Sequence, residues 1–328
     1  MHCKIFCQNS PSQPQVICGA LGQLYWDTMS RMAETRWTLL PALSTVAVNG
    51  SDARAFLQGQ LSNDLLGLER HPGLLAAGCN RSGRVLEIMR LAGTADGVRM
   101  ILPGSLVPAL IARLSRFVLR ASVSIADRGE SFAVAGLLDA EPDPSWSPAA
   151  AAAAGLTMMV ASARRVLLAG SRPALETALA AITPATPADW DHASIEDGEP
   201  TLCPQTCGLW VPQMLNLDLL GAISFTKGCY VGQEIVARTQ HRGQIKRRML
   251  RYVGPAGSSL QPGDTLYCGE TLAAQVVIAA DGPGGAQLLA VVALESCTEL
   301  LGSRPGGSEL VPADLPYEIP APEAEEGI

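Results

Sequence analysis

"SFTKGCYVGQEIVART", residues 224–239, sets a cysteine between two glycines and beside a lysine, just ahead of a run with helical spacing. A packing cysteine needs no such neighbours, because a buried thiol behaves as a small hydrophobe and asks only for apolar company. A thiol becomes a nucleophile or ligand only as thiolate, and a helix N-terminus with a nearby cation favours that form. If "GQEIVART" is a short helix, Cys229 lies near its positive end, with Lys227 two residues upstream. Gly228 and Gly232 permit backbone shapes that other residues resist and let a ligand or another backbone come close. Two readings stand on these features: a reactive thiol in an open loop, or a structural cysteine in a glycine-shaped turn.

Downstream, "HRGQIKRRMLR" (241–251) gathers Arg242, Lys246, Arg247, Arg248 and Arg251. A solvated face or strand edge explains such a run, and a phosphate-binding strip is its alternative. From 245 to 312, short β-rich runs divided by Gly-Pro and Gly-Gly turns predict a small antiparallel β-barrel or sandwich. The remainder, 313–328, is Pro-rich and acidic and reads as an extended tail.

Upstream, "LSTVAVNG" alternates as a strand, and Gly50-Ser51-Asp52 caps a helix, "ARAFLQGQL". Ser62 or Asn63 offers a second cap for "LSNDLLGL". "LLAAGCNRSGRVLEIMRLAG" then reads as two strands around the turn Asn80 to Gly83. Val107, Leu110, Ile111, Leu114, Phe117 and Val118 mark one apolar helix face. "EPDPSWSPAAAAAAG" (141–155) breaks the composition and reads as an inserted loop, after which a strand, "RRVLLAG", and a helix begun by Pro173 resume. Strands and helices mix without strict alternation, so the expected class is α+β. We place one α+β domain over 36–128 and a second, carrying the Cys229 motif and interleaved with the first, over 129–240. Residues 1–35 show no sustained period, contain Met29 and Met32 as internal starts, and are expected to be a poorly ordered, dispensable arm.

Length, 328 residues, allows two or three domains. No apolar run approaches the roughly 20 residues that cross a bilayer, and the N-terminus carries no secretory apolar stretch, so a cytoplasmic protein without membrane contact is expected. A net charge of −7 argues against a general nucleic-acid surface. Nine scattered cysteines with no C-x-x-C read as mostly free thiols. Cys203 and Cys207, with Cys229 and His241, form a possible four-ligand metal set, but the loose spacing in a Pro-containing loop favours no metal.

"FLQGQLSNDL" (56–65), "CNRSGRVLEIMRL" (79–91), "SIEDGEP" (194–200) and "VPQMLNLDLLGAISFTKGCYVGQEIVARTQHRGQIKRR" (211–248) resemble the YgfZ family, folate-binding relatives of the glycine cleavage T-protein associated with assembly or repair of iron–sulfur enzymes. The family signature Lys-Gly-Cys-Tyr-x-Gly-Gln-Glu stands complete from Lys227 to Glu234, and the resemblance spans about 37 to 300. It implies a multi-domain α+β fold around a central folate pocket, closed by a C-terminal barrel. It also implies tetrahydrofolate or a one-carbon derivative as cofactor and iron–sulfur client enzymes as partners. By the same resemblance Cys229 is the functional thiol with Lys227 beside it. Gly228, Tyr230, Gly232, Gln233 and Glu234 form the loop around it, and Glu196 matches the acidic residue that holds the pterin. A carboxylate suits that task because it accepts paired hydrogen bonds from the pterin's amino and ring N–H groups. Tyr230 and Trp210 are aromatics that could stack on such a ring.

One departure bears on activity. Where T-proteins carry adjacent aspartates, this chain has Glu87 and Ile88, which removes at least one titratable group from aminomethyl transfer. The expectation is therefore a folate-dependent assembly or repair factor that supports tRNA modification without direct nucleic-acid contact. A one-carbon transferase and an RNA-linked binding protein are the alternatives.

Overall fold

The computed structural model describes residues 35–140, 147–242, 245–282, 284–294, 301–303 and 308–320. The expected arm up to residue 34 and the last eight residues of the tail lie outside them. The chain begins with β1 (Arg36–Leu39) and β2 (Leu43–Asn49), followed by α1 (Ala53–Gln58) and a 3-10 turn at Leu65–Arg70. Strands β3 (Leu74–Cys79), β4 (Val85–Thr94) and β5 (Gly97–Pro103) lead to α2 (Val107–Ser115) and β6 (Ser124–Asp127). Then come β7 (Ala133–Leu138), α3 (Pro148–Ala153), β8 (Thr157–Val160), β9 (Arg165–Gly170), α4 (Arg172–Leu179), β10 (Thr183–Pro184) and α5 (Pro187–Glu196). After α6 (Gln233–Arg242) the chain is all β: β11 (Arg247–Gly254), β12 (Thr265–Cys268), β13 (Thr271–Gly282), β14 (Gly285–Ala293), β15 (Leu301–Gly302) and β16 (Glu309–Ala313).

These elements make two five-stranded sheets, ordered β3-β4-β5-β2-β6 and β10-β1-β7-β9-β8, and a closed barrel, β11-β14-β13-β12-β15-β16. The class is α+β with an antiparallel C-terminal barrel. β1 precedes the first sheet in sequence yet pairs with β7 and β10 of the second, so the two layers interleave along the chain.

Strand alternation assigns the layers. On β5, Val98, Met100 and Leu102 join the core under α1 and α2, while Ile101 faces the second sheet. On β9, Leu167 and Ala169 face the first sheet, and Val166 and Leu168 pack with α3 and α4. Leu57, Leu61, Leu110 and Leu114 are fully buried, each contributing about 1.5–3 kcal/mol. Met249, Leu289 and Val291 carry the first core onto the barrel wall, whose own interior holds Tyr252, Leu266 and Leu288.

Several local expectations change. Ser62 and Asn63 cap nothing: Asp64 caps the 3-10 turn by accepting from the Leu66 N–H. Ser62 Oγ donates to Ala222 O (2.6 Å) and Asn63 Nδ2 to Leu75 O and Gly221 O, which ties β3 to the segment before the cysteine motif. α2 ends at Ser115, leaving Phe117 half-exposed beyond it. Residues 148–153 of the presumed loop are helical because Ser147 caps them and proline opens the turn. The described start of the tail is extended but docked, with Tyr317 Oη donating to Gly198 O at 2.9 Å. Among the described residues no helix is long and apolar enough to cross a membrane.

Candidate functional site

Segments 56–65, 79–83 and 224–236 converge at one end of the first sheet. Lys227 is buried, and its Nζ donates to the carbonyls of Gln58 (2.7 Å), Leu61 (2.8 Å) and Asn63 (2.6 Å). Burial pulls its pKa down to about 8 and Asp64 opposes that pull. Three acceptors for three ammonium protons also favour the charged form. The cation therefore clips the loop to the body, a role that the sequence reading, which set it beside the thiol, did not anticipate.

The rest of the loop follows from that clip. Tyr230 is buried with its ring 5.3 Å from the Lys227 ammonium, and burial pushes its phenol upward, Cys79 adding to the effect. Gln233 Oε1 accepts from the Tyr230 N–H, and the Gln233 N–H donates to Tyr230 O, so the pair closes the turn into α6. Gly232 has φ +85°, and a Cβ there would run into the Asn80 carbonyl. Gly228, by contrast, faces open space. Cys229 and Glu234 are exposed, as is Phe225 just ahead of them, an apolar side chain the sequence reading passed over. The arrangement presents an exposed thiol on a loop anchored to the body through Lys227.

A second cluster lies in the seam between the sheets. Glu199 receives Arg90 Nε at 3.0 Å from β4 and Arg165 Nη2 at 2.7 Å from β9. Arg165 also donates to Asp197 (2.5 Å) and Ser194 (2.7 Å) and lies 4.7 Å over the Trp190 ring. Arg90 reaches on to the carbonyls of Gly73, Val160 and Ala161. Burial alone would raise the Glu199 carboxyl, but Arg90 and Arg165 outweigh it and hold the pKa below its ordinary value. Gly136 on β7 makes room for Trp190, whose ring a Cβ would strike. The crevice formed here includes Leu43, Ile88, Trp190, Ser194 and Glu199 and encloses about 60 Å³.

In kind, these groups fit a pterin: one flat aromatic face, one carboxylate that can accept paired N–H donors, and a hydroxyl. In space they fit only after rearrangement. Small-molecule pockets run to about 300–1,000 Å³, and Arg165 occupies the Trp190 face on which a ring would stack. Glu196 does not line the crevice; it is 38% exposed, within 3.6 Å of Arg164 and 3.9 Å of Arg251. Trp210 is buried in the core of the first sheet. No loop residue from Gly228 to Glu234 lines the crevice either.

Trp190, Arg165, Arg90 and Glu199 are thus the seam's candidate residues, and none was singled out in sequence. One signal was readable: Thr186-x-x-Asp189 is a reciprocal capping box that starts α5 and so fixes Trp190 and Ser194 on one helix.

Other chemistry recedes. Glu87 is pinned by Arg113 through two hydrogen bonds, 3.0 and 3.2 Å, with its side chain 4% exposed. Cys207 Sγ donates to Leu86 O, and Cys203 contacts Thr206. Among the described residues no group of His, Cys, Asp or Glu is arranged to hold a metal, and the His241 side chain lies outside them. Arg248 of the basic run is buried against Asp218 (2.6 Å), and Arg251, on the opposite face of β11, meets Gln287 (2.8 Å), so both charges are engaged within the molecule.

No protein-family model matches the chain. The tRNA-modifying protein YgfZ of Edwardsiella ictaluri is 31% identical over 299 residues, covering 83% of this chain and 89% of the relative. Its counterpart from Vibrio atlanticus is 28% identical over 257 residues, covering 73% and 79%. Among solved structures, the glycine cleavage system aminomethyltransferase T of Bartonella henselae superposes with a TM-score of 0.67 at 16% identity, covering 89% of this chain and 88% of that one.

Proposed function

This chain belongs to the YgfZ family, and from that premise we propose that it is a folate-binding accessory factor for iron–sulfur enzymes that supports tRNA modification in the cytoplasm. The observation that carries the reading is the Lys227 clip: a buried cation holds a loop on which Cys229, Gly228 and Phe225 stand exposed. Such a loop suits a protein client that approaches a thiol. The Trp190–Glu199 crevice is the place for tetrahydrofolate or a one-carbon derivative, with Trp190 under the ring and Glu199 toward its N–H edge once Arg165 moves aside. Bound there, the folate would supply one-carbon or redox-active ring chemistry. Aminomethyl transfer is disfavoured, because Ile88 carries no titratable group and Glu87 is engaged by Arg113 through two hydrogen bonds. The charge balance and the inward turn of Arg248 support an indirect link to tRNA.

The test is complementation in a bacterial strain lacking its own homologue, with modified nucleosides in total tRNA measured by mass spectrometry. Wild type restores them; Cys229→Ser, folded and equally abundant, does not. Full restoration by Cys229→Ser removes the thiol from function.

A further inference from the structure

The seam between the sheets holds a second cavity beyond the Trp190 crevice. Along β4 and the turn after it, Arg90 belongs to the crevice, whereas Ala92 to Ala95 line a cleft of about 510 Å³, within the range of a small-molecule pocket. Its walls are largely apolar, with Leu68, Pro72, Phe132, Leu156 and Met158. Buried Ala92, Ile101 and Met159 pack together in the same seam.

Into this apolar cleft β5 brings Arg99. Its cross-strand neighbours are Ala47 and Ala92, too small to screen it. Its guanidinium lies 4.6 Å over the Phe132 ring, whose other cationic neighbour is Arg128 at 5.3 Å. Its Nε and Nη1 are buried, and among the described residues they have no hydrogen-bond partner. Burial lowers the Arg99 pKa, Arg128 lowers it further and Asp96 opposes both. Arg54, also in the cleft wall, is already paired with Glu69. Arg99 is half-buried, and partial desolvation of a guanidinium with no carboxylate paired to it among the described residues carries a cost that an anion would offset. Elsewhere in this molecule that anion is present: Arg90, Arg113, Arg165 and Arg248 each meet a carboxylate.

We propose that this cleft is a second small-molecule site, which takes an organic oxyanion, a carboxylate or phosphate on an apolar body, with Arg99 as its anchor. The oxyanion pairs with the edge of the Arg99 guanidinium that faces the cleft, and the apolar body lies against Phe132, Leu156 and Met158. This goes beyond the folate reading and does not depend on it.

The probes are benzoate, phenyl phosphate and inorganic phosphate, titrated into the full-length protein by calorimetry at matched ionic strength. At least one aromatic oxyanion should bind saturably and more tightly than inorganic phosphate, and which of the two binds better identifies the acid group. Arg99→Gln should weaken that binding about ten- to a hundredfold, the loss of one charge-assisted pair. Ligand-free Arg99→Met should melt no lower than wild type, since it removes an uncompensated charge. Three results overturn the proposal: no saturable binding by either aromatic probe, unchanged binding in Arg99→Gln, or a much lower midpoint for Arg99→Met, which would make Arg99 a packing residue.

Discussion

Lys227 and Cys229 stand two residues apart, one with its charge taken up by three carbonyls and the other exposed. Replacing Lys227 by methionine keeps the aliphatic stem but leaves the Gln58, Leu61 and Asn63 carbonyls without their donor. The expected loss is about 3 kcal/mol of unfolding free energy, read by urea denaturation, because buried unsatisfied acceptors retain their desolvation penalty. A Lys227→Met variant as stable as wild type would show that water replaces the clip. For the thiols, access and burial set an order. Burial pushes Cys79 up to about 12 and Cys207 up to about 11, so both stay protonated through neutral pH. Limited alkylation of native protein, read by peptide mass spectrometry, should label Cys229 well before Cys79 or Cys207. The sequence pointed to Cys229 through its flanking glycines, but it did not reveal the three carbonyls that take up the Lys227 ammonium. Residues 58–63 are about 165 positions away, and nothing local announces a contact across that gap.

At the scale of elements, the two glycines around Cys229 part company. Gly232 holds a left-handed backbone against the Asn80 carbonyl, whereas an added Cβ at Gly228 meets nothing. Gly232→Ala should therefore destabilise the protein by about 1–3 kcal/mol, and Gly228→Ala should leave the thermal midpoint almost unchanged. If tRNA modification falls in the folded Gly228→Ala variant, the open side of that glycine is where a client comes close; equal loss of stability in both variants would contradict the assignment. The helix after the motif, the barrel strands and the Asn80–Gly83 turn were legible because periodicity and turn residues are local signals. α5 was not read, although its capping box is plain, because its burial pattern gives a weak apolar stripe: only Trp190, Ser194 and Ile195 are buried. The basic run misled in a different way. On strand β11 consecutive charges point to opposite sides, so Arg248 goes inward to Asp218 while Arg247 stays exposed.

Across the whole molecule, Glu199 joins the sheets by accepting from Arg90 of one and Arg165 of the other. Glu199→Gln should cost about 3 kcal/mol at neutral pH, since it leaves the buried Arg90 without its carboxylate and Arg165 with Asp197 alone. The pH dependence has a definite sign. Because the folded pKa of Glu199 is depressed, its stabilisation is complete above the unfolded value of about 4.3 and is lost as pH falls through the folded value. The gap in thermal midpoint between wild type and Glu199→Gln should thus be constant from pH 7 to about 5 and close below it; a gap that persists under acid would show that the lost contacts are not ionic. This network was invisible in sequence, because its members sit at positions 90, 165 and 199 and meet only after the second sheet forms around the interleaved β1. The class and the barrel follow from patterns along the chain, whereas the crevice is a property of two layers meeting. Its occupancy by folate is tested most directly by calorimetric titration of tetrahydrofolate into wild type, Trp190→Leu, Glu196→Ala and Trp210→Phe. The expected result is saturable binding to wild type, weakened about tenfold or more by Trp190→Leu and left nearly unchanged by Glu196→Ala and Trp210→Phe. Binding that survives Trp190→Leu intact, or that is absent from the wild type, contradicts a folate site between the sheets.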